Sequence, residues 1–328
     1  MLALWDTTGT EVVKKLAAER RNAGGVASGL ALTLVVVVDE ARVRQVEDAA
    51  TIAASAHPCR ILVVSRGPVP GPDAATVNTK DRLDAEIIVG GRLGPCEAVI
   101  MRMHGRLALH AESVIMPLLA PDVPVVTWWH GPPPEKLAYD PLGVVAERRI
   151  TDISQCGDPD WALKQRALDY APGDTDLSWT RLTPWRSLIA GAFDTGTASA
   201  SRMTVTGPPD DPATSLLRGW LTDRLGIQAG LTPGSQLSGV DFQLSDGGVL
   251  SLTSRGDGTA VLHRSGVNDR ILPLVRRKLG DELAEELRRL DPDQPYGQAL
   301  GSTTGTEGLS ERPPTRTHIW LDPAQEDS

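Results

Sequence analysis

Cysteine is scarce in this sequence: Cys59, Cys96 and Cys156 are the only three in 328 residues. They are widely spaced, form no CxxC pair and are too few to staple a chain of this length. A disulfide scaffold is excluded and a reducing compartment is expected. Long apolar runs are missing too. The longest, "LALTLVVVV" at 30–38, falls far short of the roughly 20 residues that a membrane-spanning helix needs. The amino terminus, "MLALWDTTGTEVVKKLAAERR", carries acidic residues and no signal-peptide cleavage site. A cytoplasmic protein without a membrane partner is the expectation.

Positive charge is also in short supply. Lys and Arg number 33 against 42 Asp and Glu, a net charge of −9. Nucleic acids and anionic membranes need a positive field, so neither is an expected partner. "RRNAGG" and "VRRKLG" are too short to supply a patch, and the second reads as the solvated face of a helix.

Catalytic signatures are absent as well. The first buried strand runs into "DEARVRQ" and not into GxGxxG, and GxxxxGK[ST] does not occur. GxSxG and SxxK are missing, and Ser28 in "GGVASGL" has the wrong glycine spacing for a nucleophile elbow. His57, Cys59, Cys96, His104 and His110 lie on separate segments with no HxxxH or CxxC pair to seed a zinc site. "HPCR" reads more plainly as a helix end, with Arg60 opening the next strand. "IIVGGRLG" offers backbone N–H groups after a strand, and a turn outweighs an anion cradle there. No catalytic residue, cofactor or metal is expected, and the chain is not expected to be an enzyme.

What is present is an ordinary globular composition, 41% apolar and 23% charged, at a length that suggests two domains. "LALTLVVVV" and "RILVVSR" (60–66) are continuous runs, as in strands buried on both faces. Helical periodicity marks "TEVVKKLAAERR", with Thr10 as N-cap, and "EARVRQVEDAATIAASA". "DAEIIVGG" and "EAVIMRMHG" add a pair of strands at an antiparallel edge, and "PVVTWW" (124–129) another strand. This alternation implies an α/β fold: a three-layer amino-terminal domain over residues 1–172 with a mostly parallel sheet. Residues 173–300 read as a smaller α+β domain. Its antiparallel meander is punctuated by Asp-Gly-Gly and Gly-Asp-Gly turns, and "NDRILPLVRRKLGDELAEELRRLD" closes it as a helix delayed by Pro273. Residues 301–328 are rich in Ser, Thr, Gly and Pro and read as a disordered tail, with "THIWL" as a possible docking element.

Aromatics make up only 4%, yet eight are Trp against three Tyr and two Phe. They cluster in "TWWHG", "DPDWAL" and "DLSWTRLTPWRS". Trp with Arg is the composition of interface hot spots, and also of sugar platforms and ordinary cores. Core packing ranks first, an interface second and a ligand site third. In a strand Trp128 and Trp129 point to opposite faces, so one is expected in the core and the other free for contact. The candidate partner-binding residues are Trp128, Trp129, His130, Trp179, Arg181, Trp185 and Arg186. "TWWHG" ends a strand and is stiffened by Pro132–Pro134, at the kind of place where α/β folds bind ligands.

Longer runs carry a resemblance. "SVIMPLLAPDVPVVTWWHGPPP", "DPLGVVAERRITDIS", "DLSWTRLTPWRSLIAGAFD" and "GPPDDPATSLLRGWLTDRLG" resemble the glucose-6-phosphate dehydrogenase assembly protein family, OpcA, of actinobacteria and cyanobacteria, in its actinobacterial form. The similarity extends over residues 1 to about 300. It implies a non-catalytic partner that binds glucose-6-phosphate dehydrogenase, promotes its active oligomer and raises its activity in the oxidative pentose phosphate pathway. Cyanobacterial members are redox-regulated through cysteines. The three scattered cysteines here depart from that, and the control is not carried over. The alternatives are a sugar-phosphate enzyme, with His130 in its pocket and "VGGRLG" on the phosphate, or a metabolite sensor using the Trp128–His130 region.

Overall fold

The computed structural model describes residues 1–23, 30–67, 80–90, 96–194 and 198–313. The chain forms two compact units. Met1–Thr151 and Leu279–Asp291 make the first; Asp152–Lys278 and the described residues from Pro292 onward make the second. The chain first passes from one unit to the other at 151/152. Strand–helix alternation runs through this point without a change of composition, so the sequence gives no boundary there.

In the first unit the order is β1 (Leu2–Leu4), α1 (Gly9–Asn22), β2 (Leu32–Val38), α2 (Val43–Ala56), β3 (Cys59–Arg66), β4 (Arg82–Val89) and β5 (Glu97–His104). Then follow α3 (Ala111–Ile115), β6 (Val125–His130), α4 (Pro141–Val144) and β7 (Arg148–Thr151). The strands lie side by side as β1-β4-β5-β3-β2-β6-β7. β5, β3, β2, β6 and β7 are parallel, and β4 and β1 add the antiparallel edge. This is the expected α/β architecture. On one face Val35, Leu62, Val64, Val99 and Met101 pack with Val12 and Leu16 of α1 and Val114 and Ile115 of α3. α2 packs on β2 and β3. The N-cap of α1 is Thr8, whose hydroxyl accepts from Glu11 N, and not Thr10. Thr8 stands three residues before an acidic side chain in the first turn, the spacing of a capping box.

The second unit runs α5 (Pro159–Asp169), β8 (Asp174–Asp176), α6 (Leu177–Arg181), α7 (Thr183–Phe193), β9 (Ala200–Gly207) and α8 (Pro212–Leu225). Then come β10 (Gly230–Pro233), β11 (Gly239–Leu244), β12 (Val249–Ser254), β13 (Thr259–Arg264) and β14 (Val267–Pro273). β9 to β14 form a mostly antiparallel six-stranded sheet in the order β10-β9-β11-β12-β13-β14. β14 corrects the sequence reading, which made this segment the start of a helix. The turn at Gly266 (φ +79°) returns the chain along β13, and Ile271 pairs with Val261.

The helix that the periodicity promised begins later, as α9 (Leu279–Leu287), and it belongs to the first unit. Gly280 lies against Ile52 of α2 so closely that a Cβ would come within 2.6 Å of that side chain. His57 Nε2–H donates to Ala284 O at 3.0 Å, and Arg148 pairs with Glu286.

α10 (Gln294–Thr304) then returns to the second unit. It extends past residue 301, where the sequence reading placed disorder. Thr303 and Thr304 give their hydroxyls to Ala299 O and Leu300 O within the helix. Their polarity is therefore satisfied locally and is no mark of disorder. "THIWL" lies outside the described residues. Among the described residues no helix is long and apolar enough to cross a membrane.

Candidate functional site

The carboxyl ends of β2, β3 and β6 meet beside "TWWHG". β2 is central, with β3 on one side and β6 on the other, so the chain leaves it in opposite directions. Such a reversal of strand order opens a crevice outside the carboxyl ends of an open α/β sheet. Here the crevice is a cleft of about 300 Å³ whose lining includes Asp39, Arg66, Trp129, His130 and Asp140. Its wall is Pro132–Pro134, which has no N–H to offer. Gly131 links strand to wall at φ +127°, a conformation that L side chains rarely adopt.

Asp140 fixes the far side of the cleft. As N-cap of α4, its Oδ1 accepts from Leu142 N at 2.9 Å, while Oδ2 accepts from Arg66 Nη1 at 3.0 Å. Thr127 Oγ1 donates to Leu142 O at 2.7 Å and ties the loop down to β6. Both oxygens of Asp140 are thus engaged, and its charge is met by Arg66 and by the helix start.

Glu112 of α3 lies close enough to Arg66 and Asp140 to feel both charges. Burial raises its carboxyl above the ordinary range, and Asp140 pushes in the same direction. The folded chain therefore holds this proton to higher pH than the unfolded chain does. Above the raised value the ionised carboxylate costs stability, and that cost disappears as pH falls into the ordinary carboxylate range. Glu112→Gln is expected to raise the melting temperature at pH 7–8, with the gain vanishing near pH 4; thermal melts across that interval check it. An equal gain at every pH would contradict this origin.

The tryptophan expectation is corrected. Trp128 and Trp129 do point to opposite faces, in register with Val36 and Val37 of β2, but they are 0% and 2% exposed. β6 is flanked by β2 and β7 and covered on both faces. The Trp129 side meets Gly143 of α4, and the ring of Trp128 lies 5.2 Å from that of His130, centroid to centroid. His130 is buried as well. Trp129 and His130 reach the cleft only along its floor.

The other candidates belong to the second unit. Trp179 and Trp185 are buried in its core with Tyr170 and Tyr296. Trp179 Nε1 donates to Asp293 Oδ2 at 2.8 Å, and the Arg186 guanidinium sits 3.5 Å over its ring. Arg181 holds Asp152 with two nitrogens at 2.8 and 2.7 Å. Asp176 accepts from Ile153 N and Ser178 N. "DLSWTRLTPWRS" is therefore a packing and hydrogen-bonding unit of that core. Surface apolar groups lie elsewhere: Trp161 and Leu168 of α5 are 49% and 67% exposed.

Two cysteines that the sequence leaves scattered are neighbours. Cys59 and Cys96 stand side by side where β3 and β5 begin, and Cys59 N–H points at Cys96 Sγ, 3.4 Å away. Both are buried. The contact with Cys96 and burial push the Cys59 thiol up, which keeps it an inert core group. Ser28 and the Gly91–Gly94 part of "VGGRLG" lie outside the described residues. Sequence reasoning missed Asp39, Arg66 and Asp140, because each merely ends a strand or starts a short helix until the strand order is known.

Residues 50–168 match a family model described as the glucose-6-phosphate dehydrogenase subunit N-terminal domain, and residues 172–300 match the corresponding C-terminal domain. A putative OxPP cycle protein OpcA of Synechococcus elongatus is 28% identical over 191 residues, 54% of this chain and 42% of that protein. The one from Nostoc punctiforme is 26% identical over 182 residues, 52% of this chain and 38% of the relative. For Synechocystis the figures are 31% over 102 residues, 30% and 22%. The matched stretch spans less than half the length of each of these relatives. Two family models in succession cover most of the chain, and the relatives bear the same name: the chain belongs to the OpcA family of glucose-6-phosphate dehydrogenase assembly proteins.

Proposed function

We propose that this chain binds glucose-6-phosphate dehydrogenase in the cytoplasm as a non-catalytic partner and activates it by favouring its assembled oligomer. The observation that carries this reading is the pair of family models, whose description names that dehydrogenase, over residues 50–168 and 172–300. Activation requires differential affinity, because equal binding to assembled and dissociated enzyme shifts nothing. A tenfold shift needs only about 1.4 kcal/mol of preference.

The contact is assigned to α5. Trp161, Lys164 and Leu168 recur at i, i+3 and i+7 on its exposed face, while Ala162, Leu163 and Ala167 face the core. An exposed Trp beside a Leu and a cation fits the anchor of an interface.

Mixed with the purified dehydrogenase, the chain is expected to raise both the rate and the mass of the enzyme. Trp161→Ala combined with Leu168→Ser is expected to weaken the stimulation about tenfold at an unchanged melting temperature, as loss of a buried anchor does. An unchanged rate together with an unchanged oligomer mass would remove the proposal.

A further inference from the structure

We infer that the cleft at the carboxyl ends of β2, β3 and β6 is a binding site for a small hydroxylated anion, a phosphorylated or carboxylated polyol of sugar size. The inference concerns this chain alone and stands apart from the partner reading.

Size and place come first. About 300 Å³ is at the small end of ligand pockets, and the crevice lies where strand order reverses. The charge follows from what the protein leaves uncommitted. Arg66 gives Nη1 to Asp140; among the described residues its Nε and Nη2 have no protein partner, although it is four-fifths buried. Arg42 follows β2 and is half-buried, with Nη1 about 3.9 Å from where a Cβ on Gly131 would stand. Its guanidinium makes no hydrogen bond or ion pair with any described residue.

On the acidic side Asp140 is satisfied twice over, which leaves Asp39 as the open carboxylate. Arg66 with Asp140 and Arg42 with Asp39 balance in charge, so what the cleft offers an anion is the uncommitted N–H donors of Arg66, with Arg42 close to Gly131 of the lining. A fork of N–H donors suits the oxygens of a phosphate or carboxylate. The Asp39 carboxylate accepts no hydrogen bond from any described residue, and it suits a hydroxyl.

The remaining surfaces fit the body of a sugar. Val38, Trp129 and the prolines supply apolar walls. Among the described residues the buried Trp129 Nε1 has no hydrogen-bond partner, although a buried indole N–H ordinarily finds one. A dinucleotide is excluded by the small volume. It is also excluded by Asp39 and Glu40, which stand where a glycine-rich phosphate loop would follow β2.

The test uses the full chain and calorimetric titration with five probes: a hexose 6-phosphate, gluconate, unphosphorylated glucose, inorganic phosphate and sulfate. The phosphorylated or the carboxylated hexose is expected to bind with a Kd below about 1 mM and to raise the melting temperature. Whichever of the two binds more tightly identifies the anion. Glucose, phosphate and sulfate are expected to bind at least tenfold more weakly. The side chains of Arg42 and Asp39 have no hydrogen-bond or ion-pair partner among the described residues, so Arg42→Ala and Asp39→Ala should melt like the parent. Arg42→Ala is expected to weaken the anionic hexose about tenfold, and Asp39→Ala to lower it to the affinity of bare phosphate. No heat from any probe at 10 mM, sulfate binding as tightly as the hexose anion, or affinities unchanged in both variants would each overturn the assignment.

Discussion

Glu97→Ala is expected to destabilise the first unit by about 3–5 kcal/mol, the cost of stranding a buried charge. Glu97 opens β5 with its side chain 1% exposed, and two arginines converge on it. Arg60, its neighbour in register on β3, is almost as buried and spends another nitrogen on Leu118 O. Arg20 reaches it from α1 and remains partly exposed. Burial already pulls the pKa of Arg60 down, and Glu97 is what pulls it back up. Without the carboxylate, Arg20 can turn to water and Arg60 cannot. Glu97→Gln keeps an acceptor and is expected to cost less. Removing both buried partners, as Glu97→Leu with Arg60→Met, is expected to recover much of the loss, since a well-packed apolar pair often matches a buried ion pair. Urea denaturation of the three variants is the measurement. A double variant no more stable than Glu97→Ala would mean that the stranded charge is not the cause. The pair lies at the amino ends of β3 and β5, opposite to the cleft, so ligand affinity in the folded Glu97→Ala chain should be unchanged.

Where sequence reading succeeded, each residue's burial followed from its immediate neighbours. "LALTLVVVV" and "RILVVSR" contain no polar alternation, so they fit only strands covered on both faces, and β2 and β3 are that. The Asp-Gly-Gly and Gly-Asp-Gly turns gave the meander because Gly247, Gly256 and Gly258 take positive φ. "VNDRILP" failed because its apolar spacing suits a helix or an edge strand, and pairing with β13 decided the matter. The tryptophan pair failed more instructively. Alternation was correct, but whether a face meets water depends on β7 and α4, elements that come later in the chain. The cleft was half legible: "TWWHG" marked a strand end worth attention. Arg66 and Asp39 could not be joined to it, since 64 residues separate Arg66 from His130 and only strand order brings them together.

Gly143→Ala is expected to cost about 3 kcal/mol, the upper part of the usual range for overpacking, and to damage the cleft at the same time. Gly143 lies within α4, where φ is ordinary and alanine would normally be favoured. Space forbids it. A Cβ would stand 1.7 Å from Leu137 O and 2.8 Å from Leu137 C, with Trp129 Cη2 at 3.5 Å on the other side. The first two are backbone atoms that no rotamer change can move, so either the 137–140 turn or α4 has to shift. Both carry Asp140, which orients Arg66 and caps α4. Loss of stability and loss of hexose-anion affinity should therefore appear together, whereas Glu97→Ala loses stability alone. Gly191 of α7 is the control. It has nothing within 4 Å of its would-be Cβ, so alanine there should stabilise by up to about 1 kcal/mol through helix propensity. Thermal melts and titration with the hexose anion check both variants. A Gly143→Ala chain that melts and binds like the parent would show that the 137–143 turn yields freely, and that the cleft owes its shape to some other constraint.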